Sequence, residues 1–276
     1  MPLLTSLACM ILVSVQALGP TAGEPSAAVI RTLAPGGRLR VAINLGNPVL
    51  AQQPPGSAEP RGVAAELARE LGRRLHLPID FLTYDGAGKV ITSLPADAWD
   101  LAFLAIDPVR AGTVTFTHPY VVIEGTYLVP AGSKLRSIDE VDQAGVRVAV
   151  GLGSAYDLFL ARELKQAKRV AAPSSAEALE LFLRDQLEAA AGVRQPLALF
   201  ADSHPGVRIL PGRFMSIRQA IAFPKGRETA APYLDAFIEE LKASGFIARA
   251  LAASGQADAV VAPPGPGETD SQGPCR

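Results

Sequence analysis

Asp100-Leu101-Ala102-Phe103-Leu104-Ala105-Ile106-Asp107-Pro108-Val109-Arg110, followed shortly by Phe116-Thr117-His118-Pro119-Tyr120, decides how the rest of this chain is read. Residues 101–106 are apolar at every position, the pattern of a parallel strand covered on both faces. The strand runs out into a loop with one arginine and then an aromatic turn, and open α/β sheets bind ligands in loops of this kind. Arg110 is therefore the first candidate for a small-molecule site. Asp107-Pro108 reads as a cap and a first-turn proline that orient it.

Working outward, strand-like and helical patterns alternate on both sides. A strand over 39–43 precedes a helix over 63–75, whose apolar residues Val63, Leu67, Leu71 and Leu75 share one face, and a strand over 79–82. This β-α-β series repeats beyond Lys134: a strand over 146–150, a helix from Ser154, a helix over 176–187, a strand over 189–193 and another over 207–210. Later still, 219–223 reads as a strand and 233–241 as an amphipathic helix ending near Gly245. The pattern is two α/β lobes.

With 49% hydrophobic and 19% charged residues and a formal net charge of -1 over 276 residues, the chain has material for a sizeable core and none of the basic excess that nucleic-acid binding requires. Residues 3–19 are uncharged and mostly apolar and are broken by Pro20, Gly23 and Pro25. They read as a secretory signal over 1–23, or as an N-terminal anchor. The two cysteines, Cys9 and Cys275, flank the body, which leaves it no disulfide. The Pro- and Gly-rich stretch 259–276 reads as a disordered tail.

The order of short signatures resembles bacterial extracytoplasmic solute-binding proteins of family 3, the periplasmic amino-acid type of ABC transporters. Residues 39–43 resemble the family's opening strand, Arg61-Gly62-Val63-Ala64-Ala65-Glu66-Leu67 its G-F-D-x-D-L helix start, and Ala98-Trp99-Asp100-Leu101 its G-x-Y/W-D strand start. Phe116-Thr117-His118-Pro119-Tyr120 matches F-S-x-P-Y, and Val148-Ala149-Val150-Gly151-Leu152-Gly153-Ser154 resembles V-G-V-x-x-G-S. Leu187-Glu188-Ala189 resembles its x-D-A strand and Ser244-Gly245-Phe246 its D-G-T close.

The resemblance implies a two-lobe periplasmic-binding-protein fold of type II, each lobe an open, mostly parallel sheet flanked by helices, joined by two hinge strands. Lobe one would hold 37–121 with 219–257, and lobe two 122–218. It implies a monomeric, periplasmic protein that closes on a carboxylate-bearing ligand and delivers it to a permease, with no cofactor, no metal and no catalysis. Ligand contacts are implied at Arg110, Ser154, Gly153, Ala105, Asn44, Asn47, Arg194 and Tyr120. Arg110 would grip the ligand carboxylate through its planar guanidinium. Ser154 would cap a helix whose first N–H groups favour anions.

Three departures from the family bear on the ligand. The hydroxyl positions before the arginine hold Phe103 and Ala105. The aromatic shelf falls on Asn47 and about Ala87. The acid expected to pair with an α-ammonium near the end of 189–193 is missing, and Ala191-Gly192-Val193-Arg194-Gln195 stands there instead. A desolvated ammonium needs a fixed anion, so the expected ligand is an organic acid or dicarboxylate held between Arg110 and Arg194; Asp85 or Glu124 would have to supply the acid for an amino acid. Two alternatives share the fold: a secreted cyclohexadienyl or arogenate dehydratase, which needs a general acid in the cleft, and a binder that presents its ligand to a sensor. His76, His118 and His204 are too dispersed for a local zinc motif, and Gly151-Leu152-Gly153 lacks the third glycine of a dinucleotide fingerprint.

Overall fold

The computed structural model describes residues 23–265. The segment read as a signal, apart from its last residue, lies outside the described residues, as do both cysteines and residues 266–276.

Ser26 caps α1 (Ala27–Leu33) by accepting the Val29 N–H. β1 (Leu39–Asn44), α2 (Val63–Leu75), β2 (Ile79–Tyr84), α3 (Ala87–Thr92) and β3 (Leu101–Ala105) follow, and β1 pairs in parallel with both β2 and β3. α2 forms over the span its spacing predicts because Val63, Leu67, Leu71 and Leu75 are buried on one face while Arg69 and Arg73 stay outside. All five positions of β3 are buried, as expected for a strand covered on both sides.

β4 (Val114–Phe116) is short, and β5 (Val121–Pro130) leads into a second set of elements: β6 (Arg147–Gly151), α4 (Ala155–Glu163), β7 (Lys168–Ala172), α5 (Ser175–Arg184), β8 (Ala189–Val193), α6 (Arg194–Ser203) and β9 (Val207–Ile209). β6 pairs in parallel with β7 and β8, which repeats the first pattern. β10 (Met215–Pro224) then returns to the first set, where α7 (Ala231–Ala243) and α8 (Phe246–Ala253) pack, and β11 (Val260–Val261) ends the described elements.

The strand order is β2-β1-β3-β10-β5-β8-β6-β7. β5 and β10 run antiparallel to one another from Val121 opposite Gln219 to Gly125 opposite Met215; each then leaves its partner, β10 for β3 and β5 for β8. These are the two hinge strands of the fold, and each half of the curled sheet carries its own core. Leu71, Phe103, Tyr120, Phe223 and Phe237 belong to the first core, with Trp99 and Leu104 in a satellite cluster. Tyr127, Val148 and Leu160 lie on one face of the second half-sheet, and Leu128, Phe182 and Leu197 on the other.

Besides elements that the sequence pattern does not predict, among them α1, α3, β7 and α8, the structure differs from the expected pattern in four places. β10 starts at Met215 rather than at residue 219, because polar Ser216 and Arg218 alternate with Met215 and Ile217 along the hinge. α5 stops at Arg184, where Gln186 takes a left-handed φ of 48° and the Leu187 N–H turns back to the Phe182 carbonyl. α6 follows β8 without a break, over residues where the sequence pattern predicts no helix.

The fourth difference is the tail. Residues 259–265, expected to be disordered, are placed. β11 pairs Val260 and Val261 with Val122 and Val121, the Ala262 N–H donates to the Tyr120 carbonyl (3.0 Å), and the Lys242 ammonium to the Pro263 carbonyl (2.8 Å). Composition misled there because these residues are ordered by the free edge of β5 rather than by a core of their own.

Candidate functional site

β3 ends at Ala105, and the chain turns because the Asp107 carboxylate accepts the Val109 N–H (2.8 Å) while the Ala111 N–H bonds the Asp107 carbonyl (2.9 Å). One 3-10 turn, Arg110–Gly112, folds the arginine back beneath the strand that precedes it. Arg110 is 2% exposed. Its Nη1 donates to the Ala105 carbonyl (2.9 Å) and its Nη2 to the Gly153 carbonyl of the other half (2.9 Å). Nε is buried without a partner.

A guanidinium has five N–H donors, and two are used among the described residues. Burial lowers the Arg110 pKa to about 10, against the raising effect of the Asp107 charge. The Asp107 oxygens themselves are bonded elsewhere, one to Val109 N and the other to Arg162 Nη2 (3.0 Å). Arg110 is thus a desolvated cation held by two backbone carbonyls, with no carboxylate in contact.

It lines a cavity, partly open to solvent, between the two halves of the sheet. Asn44, Gly46, Asn47, Gly86, Ala87, Ala105, Ile217 and Gln219 form one side with Arg110. Gly151, Leu152, Ser154, Ala155, Tyr156, Ser174, Ser175 and Val193 form the other. The lining contains no Asp, Glu or Lys. An amino acid would find a cation for its carboxylate there and, although the buried Asn47 Oδ1 has no other partner, no carboxylate for its ammonium.

The two halves are in contact around this space. A Cβ on Gly153, whose φ is +68°, would lie 2.7 Å from Gly88 Cα, so both positions require glycine for this approach. The Asp107–Arg162 pair adds a second crossing contact.

Five of the eight expected residues line the cavity: Arg110, Ser154, Ala105, Asn44 and Asn47. Ser154 caps α4 by accepting the Asp157 N–H (3.1 Å), and the uncapped first-turn donors of that helix belong to Ala155 and Tyr156, which also line the cavity. Gly153 contributes its carbonyl to Arg110, while its N–H donates to Asp157 (2.9 Å).

Two of the eight lie elsewhere. Tyr120 is fully buried in the first core, edge-on to Phe103 at 5.9 Å, and burial raises its phenol pKa. Arg194 is turned away, its Nε donating to Glu124 (2.6 Å) and its Nη2 to the Gly212 carbonyl (2.5 Å). Arg194 begins α6 and Glu124 sits on the hinge, so a neighbouring acid captures the guanidinium that was expected to face the ligand. Glu124 is also bonded by Arg213 (2.9 Å); although burial works against it, these two arginines hold its carboxyl below the usual range. Asp85 pairs with Lys89 (2.6 Å). Neither of the acids considered for an ammonium reaches the cavity lining.

Sequence reading missed Tyr156, Ser174, Ser175 and Gln219. Ser174 carried a signal, the S-x-x-E spacing of a helix start: it caps α5 by accepting the Glu177 N–H (3.1 Å) and its hydroxyl donates to the Glu177 carboxylate (2.9 Å), which places the start of α5 at the cavity. Tyr156 donates to Ser175 Oγ (2.8 Å), a pairing across two helices that spacing does not reveal.

The model of the bacterial extracellular solute-binding proteins, family 3, matches residues 39–254. No curated protein matches the chain significantly. Among solved structures, the chain is similar to an amino acid ABC transporter substrate-binding protein from Streptococcus pneumoniae bound to L-arginine, at 19% identity and TM-score 0.70, covering 82% of this chain and 98% of that one. The cysteine-binding protein from Campylobacter jejuni is similar at 17% identity and TM-score 0.70, covering 82% and 92%. An ancestral amino acid-binding protein described as a precursor of cyclohexadienyl dehydratase is similar at 21% identity and TM-score 0.68, covering 81% and 98%. At these identities the structures establish the shared fold.

Proposed function

Because the chain belongs to the bacterial extracellular solute-binding proteins, family 3, we propose that it captures a small carboxylate lacking an ammonium group in the cavity beside Arg110 and delivers it to an ABC importer. The carrying observation is a cavity lining with one buried guanidinium and no carboxylate. A carboxylate placed there gains charge-assisted bonds from donors that have no other acceptor. An ammonium placed there would be desolvated without a counter-charge.

The reading divides the chain into a lobe of residues 37–121 with 219–257 and a lobe of 122–218, which close on the ligand. Closure is driven by the ligand's preference for the closed state, in which Arg110 of one lobe meets Gly153 of the other. The protein acts as a monomer outside the cytoplasmic membrane, exported by its N-terminal segment. The absence of a carboxylic acid in the lining supports binding over dehydration, which would need a general acid there.

Isothermal titration of the chain from Glu24 against propanoate, butanedioate, alanine, arginine and prephenate tests the proposal. Heat with propanoate and none with the amino acids is expected. Tight binding of arginine or alanine with no response to either simple acid would overturn it, and turnover of prephenate would replace it with the enzyme reading.

A further inference from the structure

The cavity has an extension that Arg110 does not line. A small recess opens past Tyr156 and Val193, which belong to the walls of both spaces, and is bounded by Leu179, Ala191, Pro196 and Leu197. No Asp, Glu, Lys, Arg or His contributes to it. Its floor is the end of β8 and the start of α6, where Leu197 lies so close to Gly192 that a Cβ there would be 3.0 Å from Leu197 Cδ2. The polar pair at the seam is internally satisfied, Tyr156 donating to Ser175, and the cation nearest in sequence, Arg194, is held by Glu124.

We infer that the solute is a monocarboxylate with a short apolar body and no second charge, its carboxylate on Arg110 and its hydrocarbon end in this recess. The inference rests on the proposed reading of the cavity as a carboxylate site and goes further in excluding dicarboxylates. A second carboxylate in the recess would lose its water against Leu179, Pro196 and Leu197 and gain no cation in return. Each methylene placed there instead tightens binding by about fourfold.

The test is isothermal titration of the chain from Glu24 and of its Leu179→Asn variant with propanoate, 4-methylpentanoate, pentanedioate and leucine. 4-Methylpentanoate binds more than about tenfold tighter than either propanoate or pentanedioate. Leu179→Asn removes most of its advantage over propanoate and leaves propanoate within about twofold, which also shows that the variant is folded. Pentanedioate binding as tightly as 4-methylpentanoate overturns the inference while leaving the carboxylate reading in place. So does a Leu179→Asn effect equal for the short and the branched acid. Leucine binding tighter than all three acids overturns the carboxylate reading itself, and no heat with 4-methylpentanoate at millimolar concentration overturns the inference outright.

Discussion

Replacing Arg110 with methionine separates two effects that usually fall together, loss of ligand and loss of fold. In the folded protein, burial lowers the guanidinium pKa from 12.5 to about 10. At about 1.36 kcal/mol per pH unit this is a cost of roughly 3 kcal/mol to the folded state, carried at every pH below about 10. Against it stand the bonds to the Ala105 and Gly153 carbonyls, each contributing about 1.5–3 kcal/mol when the donor is charged.

Together the two bonds offset the cost or exceed it by up to about 3 kcal/mol. Arg110→Met is expected to lose no more than about 3 kcal/mol of stability in urea, at or below the roughly 3–5 kcal/mol lost when a buried ion pair is broken. Ligand affinity follows different arithmetic: a carboxylate loses at least one charge-assisted bond of about 1.5–3 kcal/mol, a drop of about 10- to 150-fold. Because Arg110 stays charged below pH 10, affinity is flat from pH 6 to 9 and falls only where the ligand's own carboxyl protonates. Paired urea melts and titrations with 4-methylpentanoate check both halves. A variant that loses more than about 3 kcal/mol of stability while keeping its affinity would refute the reasoning, because Arg110 would then be a structural ion partner and not the anion site.

Three further outcomes are expected. Gly153→Ala places a methyl 2.7 Å from Gly88 Cα at a positive φ, so ligand affinity falls at least about tenfold and scattering shows no ligand-induced compaction; unchanged affinity would mean that the halves need not approach this closely. Asp100 accepts bonds from Arg40 and Arg227; although burial works against it, these partners hold its carboxyl below its usual range. Its stabilising contribution is therefore complete above about pH 4 and is lost as pH falls through the lowered value. Asp100→Asn is expected to cost about 3–5 kcal/mol at pH 7 and much less at pH 2, measured by urea denaturation at both. Ending the chain at Asp258 deletes β11 and the Lys242–Pro263 bond; a loss of about 1–3 kcal/mol is expected in thermal and urea melts, and none would show that the segment is passive.

Elements with a period were legible in the sequence. α2 and β3 stand where Leu67, Leu71 and Leu75 and the unbroken run from Leu101 placed them, since burial of a repeated face depends on local spacing alone. Arg110 was legible because a strand, a cap and a short turn carry it into the cleft within five residues of Ala105. Arg194 was not, because its direction is set by Glu124, 70 positions away on a hinge strand. Tyr120 was misplaced for a similar reason: the F-S-x-P-Y turn ends inside the first core, against Phe103. The apolar recess has no local signature at all, since Leu179, Ala191, Pro196 and Leu197 lie on three elements and each reads as ordinary core.

β11 has a mechanical consequence. Two crossing strands make a ribbon of uniform width, but Val260 and Val261 add a third to β5 at Val121 and Val122 only, and Lys242 anchors the segment that follows. A ribbon stiffened at one end flexes just past the stiffener. The pivot of any swing between the halves is thereby confined on β5 to residues 123–124, opposite Ser216–Ile217, because Gly125 is already paired with Val193 of β8 on its other side. The distal half then swings as a lever from that point, and a short segment remote from the cavity sets the arc along which the two walls meet.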